Sequence, residues 1–154
     1  MFKRSLLLVI AIIAFVFTSA FASQLWITKD LPSSYDTGLT IEKAFKTSKA
    51  PLLIEFYSDT CGACRRVAPL VHTLSETRYK NRLTPVMMDV DDSDTRSIAE
   101  LFGVNTLPAL YIFDHHHMKK HAIPAESFVS TDLLTKTMDD LLLRTGTTVA
   151  KSTQ

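Results

Sequence analysis

Residues 52–74 constrain the fold more than any other stretch of this chain. "LLIEFY", residues 52–57, is short, apolar and bounded by breakers, with Pro51 on one side and Ser58-Asp59 on the other. Such a run reads as a buried strand, and Glu55 is its one charged member. The chain's two cysteines follow at once, as Cys61-Gly62-Ala63-Cys64. Beyond them Val67, Leu70, Val71 and Leu74 recur at i, i+3, i+4 and i+7, the apolar face of a helix expected to run to about Arg78. A strand feeds directly into a helix, and both thiols sit at the junction.

The remaining pattern extends that unit. "TPVMMDV", residues 84–90, reads as a second strand, after which Asp92 or Ser93 can cap a helix carrying Ile98, Leu101 and Phe102 and ending at Gly103. Strand, helix and strand of these lengths imply a right-handed parallel crossover. "ALYIF", residues 109–113, and roughly Met118 to Ile123 form two further strands joined by a short turn, hence a hairpin. A helix capped by Thr40 and carrying Ile41, Ala44 and Phe45 precedes the first strand. A last one, capped near Ser130, shows Leu133, Leu134, Thr137, Met138, Leu141 and Leu142 on one side. The expected class is α/β, a mixed central sheet flanked by helices in three layers.

At 154 residues and 46% hydrophobic, the chain has material for one core. That domain is expected over residues 40–144, behind an irregular linker at 23–39 that contains the turn-rich "DLPSSYDTG", and ahead of a flexible polar tail at 145–154. Residues 1–22 carry Lys3 and Arg4, an uncharged apolar stretch from Leu6 to Phe17, and Ala20-Phe21-Ala22, the order of a secretory signal peptide cleaved before Ser23. An uncleaved membrane anchor is the competing reading, although the strongly apolar part is shorter than the ~18 residues of a full span. Removing the leader lowers Lys plus Arg from 17 to 15 against 16 acids, a net charge of −1. Nothing there attracts nucleic acid.

In an exported protein two cysteines normally suggest a structural staple. A bridge between residues three apart closes a very small loop, however, and removes little entropy from the unfolded chain, so this pair suits being made and broken. A thiol attacks a disulfide only as its thiolate. At a strand-to-helix junction, unpaired backbone N–H groups and the positive end of the helix dipole favour negative charge on Cys61, and Arg65 adds a cation one turn on. Cys64, on the same side of the helix and less exposed, would resolve the mixed disulfide that Cys61 forms. A zinc site would need about four ligands, and His72 lies roughly 12 Å along the helix from Cys64.

"LLIEFYSDTCGACRRVAPLV", "VMMDVDDSD", "LFGVNTLPALYIFD" and the closing amphipathic helix, taken in order, resemble the thioredoxin family over residues 40–144. The resemblance implies a thioredoxin-like fold and thiol-disulfide exchange through a redox-active disulfide of Cys61 and Cys64. It implies that Pro69 kinks the helix that starts at the cysteines, and that Pro108 is a cis-proline beside them. Leu107 would then offer its backbone to an extended client segment, which makes Leu107 and Pro108 the substrate-binding pair. Glu55 occupies the position of the family's buried acid and would take the proton of Cys64, provided it faces inward, which strand alternation leaves open. The chain departs from the family pattern at Ala63, where proline is usual between the cysteines, at Tyr57 and Thr60, where tryptophans are usual, and at Met87, where lysine is usual.

The expected function is reduction of disulfides in exported proteins, in the periplasm, by a monomer that needs no cofactor and no metal. Its partners would be client proteins carrying disulfides and a membrane-embedded thiol electron donor, because a reductase in an oxidising compartment must be recharged. Alternatives are an oxidase or isomerase running the same pair in reverse, or a copper-handling or adaptor module binding Cu(I) through the two thiolates. "DHHHMKKH" places His115, His116, His117 and His121 near one another, which is read as a solvated hairpin turn away from the cysteines. Asp89, Asp91, Ser93 and Glu100 sit at calcium-loop offsets, but Asp94 stands where such a loop requires glycine.

Overall fold

The computed structural model describes residues 31–145, nearly all of them within the unit that begins at Pro32. The signal peptide or anchor expected over 1–22, and the tail from residue 146 on, lie outside the described residues. Among the described residues no helix is long and apolar enough to cross a membrane.

The chain forms α1 (Ile41–Thr47), β1 (Leu52–Tyr57), α2 (Gly62–Glu76), β2 (Thr84–Asp89), α3 (Ser93–Phe102), β3 (Ala109–Asp114), β4 (Lys119–Ile123), a 3-10 turn (Ala125–Val129) and α4 (Thr131–Arg144). Local chemistry accounts for most of the boundaries. Thr40, Asp92 and Ser130 accept backbone N–H groups at the starts of α1, α3 and α4. Gly103, at φ 76°, takes the left-handed conformation that ends α3 and donates to carbonyls of its last turn.

The sheet order is β2-β1-β3-β4. β1 and β2 run parallel, as the crossover requires, while β3 is antiparallel to both β1 and β4. Helices cover both faces. Leu53 of β1 packs with Val67, Val71 and Leu74 of α2 and with Leu134, Met138 and Leu142 of α4. Leu52, Ile54 and Phe56 point the other way, toward Ala44 of α1 and Ala99 of α3. The three-layer α/β architecture is therefore the expected one. On the second face Phe102 meets Phe56, Tyr111 and Phe113 at ring separations of 5.2 to 5.4 Å, tilted or edge-on, which adds roughly 0.5–1.5 kcal/mol per pair to the burial.

Two details differ from the sequence reading. Leu133 is 40% exposed, because the buried stripe of α4 runs through Leu134, Met138 and Leu142 at four-residue steps and turns Leu133 outward. The His115–His121 turn is not simply solvated. His115 is buried against α1, its Nε2 lies 3.1 Å from the carbonyl oxygen of Ser48, and its ring meets Phe45 at 5.7 Å. His117 bonds Asp114 through Nδ1 at 2.6 Å. Among the described residues no group of three or more His, Cys, Asp or Glu side chains is arranged to hold a metal ion.

Candidate active site at the start of helix α2

β1 ends at Tyr57, and residues 58–60 turn the chain into α2 with Cys61 as the N-cap. Side chains distant in sequence hold this turn. Ser58, buried, donates its hydroxyl to Asp91 Oδ2 at 2.6 Å, and its carbonyl accepts the N–H of Cys61 at 3.0 Å. Asp59 receives the hydroxyl of Ser33 on Oδ1 at 2.8 Å, while its carbonyl receives the Arg65 guanidinium at 2.7 Å. Arg65 thus reaches back to the backbone of the turn.

Cys61 and Cys64 are joined as a disulfide with their Cα atoms 5.3 Å apart. Sγ of Cys61 also accepts the backbone N–H of Cys64 at 3.1 Å, so it occupies the place an N-cap oxygen takes in an ordinary helix. Once the bond is reduced, the same N–H and the helix dipole would favour a thiolate on Cys61 over one on Cys64. Burial divides the pair as expected, since Cys64 is fully buried and Cys61 is partly open. Pro69 sits inside α2, which continues past it to Glu76.

Glu55 faces inward. Both faces of β1 are buried, and Glu55 is 1% exposed, on the side that carries Leu53 and looks toward α2. Ala68, one turn beyond Cys64 on α2, lines the same cavity as Glu55. Neither carboxyl oxygen has a hydrogen-bond partner among the described residues, and burial pushes the pKa from 4.5 up to about 8.

The Leu107-Pro108 peptide bond is cis. Ala109 pairs with Phe56, so Pro108 enters β3 at the end of the sheet where β1 passes into the cysteine turn. The fold therefore brings the four candidate elements, Cys61, Cys64, Glu55 and Leu107-Pro108, to one end of the sheet. His115 and its neighbours lie in the β3–β4 turn, at the other end of β3. Ser33, Ser58, Asp59 and Asp91 are the members that sequence reasoning missed, and their pairings span 26 and 33 residues without a local signal.

A model of the thioredoxin family matches residues 35–139 of the chain. Thioredoxin 1 of Chlorobaculum tepidum is 38% identical over 74 residues, covering 48% of this chain and 70% of that protein. Thioredoxin-like protein HCF164, chloroplastic, of Arabidopsis thaliana is 36% identical over 86 residues, covering 56% of this chain but only 31% of its own length. Among solved structures, the J-Trx1 fragment of ERdj5 matches with a TM-score of 0.54 at 22% identity, over 66% of this chain and 48% of that one, a likeness of fold.

Proposed function

The chain belongs to the thioredoxin family of thiol-disulfide oxidoreductases, and from that premise we propose that it is a periplasmic reductase of disulfides in exported proteins, working through Cys61 and Cys64. The observation that carries the reading is the sulfur of Cys61 at the N-cap of α2, bonded to Cys64 and within reach of its N–H. In the reduced protein the Cys61 thiolate attacks a client disulfide, a new bond forms to one client sulfur, and the other leaves as a thiolate. Glu55 takes the proton of Cys64. The Cys64 thiolate then attacks Sγ of Cys61, the Cys61–Cys64 bond forms, and the second client sulfur departs. Two electrons pass to the client, whose thiolates take their protons from water.

Leu107 and Pro108 would hold the client as an extended segment through backbone pairing, which recognises many sequences. Support for the reducing direction comes from Gly62 after the first cysteine and from the apolar Leu107 before Pro108, both of which resemble thioredoxins. Support for export comes from the leader at 1–22, cleaved or retained as an anchor ahead of a domain at 40–144. A reductase there requires a membrane-embedded thiol donor to restore it.

The test is the reduction potential of the pair, equilibrated with glutathione, together with insulin reduction in dithiothreitol. The reading expects a potential near the ~−270 mV of thioredoxin and loss of insulin reduction in Cys61→Ser. A potential far above that would make the protein an oxidant, and stoichiometric Cu(I) retention without exchange would make it a metal carrier.

A further inference from the structure

A base that serves every turnover has to be emptied every turnover. Glu55, with its pKa raised by burial to about 8, is mostly protonated at neutral pH, so it must lose a proton before it can accept one from Cys64. No protein group among the described residues bonds either of its oxygens. It does line a cavity of about 140 Å³. One water needs roughly 10–15 Å³, so the space holds several.

The lining of that cavity changes character from inside to outside. Toward the sheet and the core it is Glu55, Ala68, Pro85 and Met87; toward solvent it is Tyr35, Asp36, His72 and Glu76, which are the titratable groups that face Glu55 across it. Ser75 lies between, with its hydroxyl bonded to the Val71 carbonyl of its own helix. Tyr35 stacks flat on His72, with ring centroids 4.2 Å apart and 6° between the planes. The segment bearing Tyr35 is fixed at Ser33 to Asp59 of the cysteine turn. His72 is itself exposed. An imidazole can take a proton on one nitrogen and release one from the other, which suits a group standing between a wet cavity and bulk water.

We propose that this cavity is the proton route of the cysteine pair, in which water carries the proton from Glu55 to His72 and His72 passes it to solvent. The route rests on the reading of Glu55 as the base for Cys64. Each cycle moves one proton from the Cys64 thiol to the Glu55 carboxylate, then through the cavity to the imidazole and on to water or buffer, and no electrons move along this path. His72 is a relay remote from the sulfurs, held in position by Tyr35.

Rapid acid quench of the reduced full chain mixed with a peptide disulfide resolves formation of the mixed disulfide from its decay, and the decay is the Cys64 step. His72→Ala should slow the decay at least about tenfold at neutral pH, relative to formation, and added imidazole should restore it. Ser75→Leu, which fills the cavity with apolar atoms, should slow the decay without rescue by imidazole. Wild-type decay in both variants, or a slow His72→Ala that imidazole does not restore, overturns the route. Wild-type decay in Glu55→Gln overturns instead the role of Glu55 on which the route rests, and slow decay in Glu55→Gln alone leaves that role standing while the route falls. Circular dichroism of each variant confirms folding, and the imidazole response of His72→Ala decides the case if Ser75→Leu is unfolded.

Discussion

Glu55→Gln should make the protein more stable at neutral pH, and by an amount that grows with pH. In the unfolded chain this carboxyl titrates near 4.5, and in the folded protein burial raises it to about 8. Below the lower value both states hold the proton and the group is indifferent to folding. Between the two values the unfolded chain releases a proton that the native state keeps, so the unfolded state is increasingly favoured as pH rises. At ~1.4 kcal/mol per pH unit the cost reaches about 3 kcal/mol by pH 7, of which about 2.5 kcal/mol accrues above pH 5. Glutamine has no proton to lose. Urea denaturation of the oxidised wild type and of Glu55→Gln, at pH 5, 6 and 7, isolates this group because all others are shared. The gap in stability should widen by about 2.5 kcal/mol across the series, a relative midpoint change of roughly 1–2 M urea. Curves that shift in parallel would refute the reasoning, since they would mean that Glu55 titrates alike in both states.

Two further changes probe the frame around the site. Tyr79→Phe removes a buried hydroxyl that bonds the Thr135 carbonyl at 3.0 Å and Asp139 Oδ1 at 3.1 Å, and thermal or urea unfolding should report a loss of about 1–2 kcal/mol. Gly103→Ala meets no atom within 4 Å of the added Cβ, so its cost comes from the φ of 76° alone, about 1 kcal/mol by the same measurement.

The parts of this structure legible in the sequence are those whose causes are local. Thr40, Asp92, Ser130 and Gly103 end or begin helices by bonds within a turn of themselves, and the apolar period of α2 is written in its own residues. The cysteine pair was legible for the same reason, because its chemistry follows from two residues three apart at a junction. The inward face of Glu55 was not. All of β1 from Leu52 to Phe56 is buried, so the alternation that would have shown which side a residue takes is absent. Tyr79, just past the end of α2, is fully buried and bonds a helix some 60 residues further on, a pairing that no local signal marks. His115 gave no sign of burial because its partner, the Ser48 carbonyl, lies 67 positions away.

The central claim is that Cys61, held at the first turn of α2, is the attacking thiolate and Cys64 the residue that displaces what it captures. It is tested most directly in Cys64→Ser, where Cys61 is the sole thiol, by titrating its ultraviolet thiolate absorbance and then offering it a protein disulfide. The account predicts a pKa clearly below the ~8.5 of a free cysteine and a stable mixed disulfide with the client. A thiol that titrates at or above that value and traps nothing would contradict it.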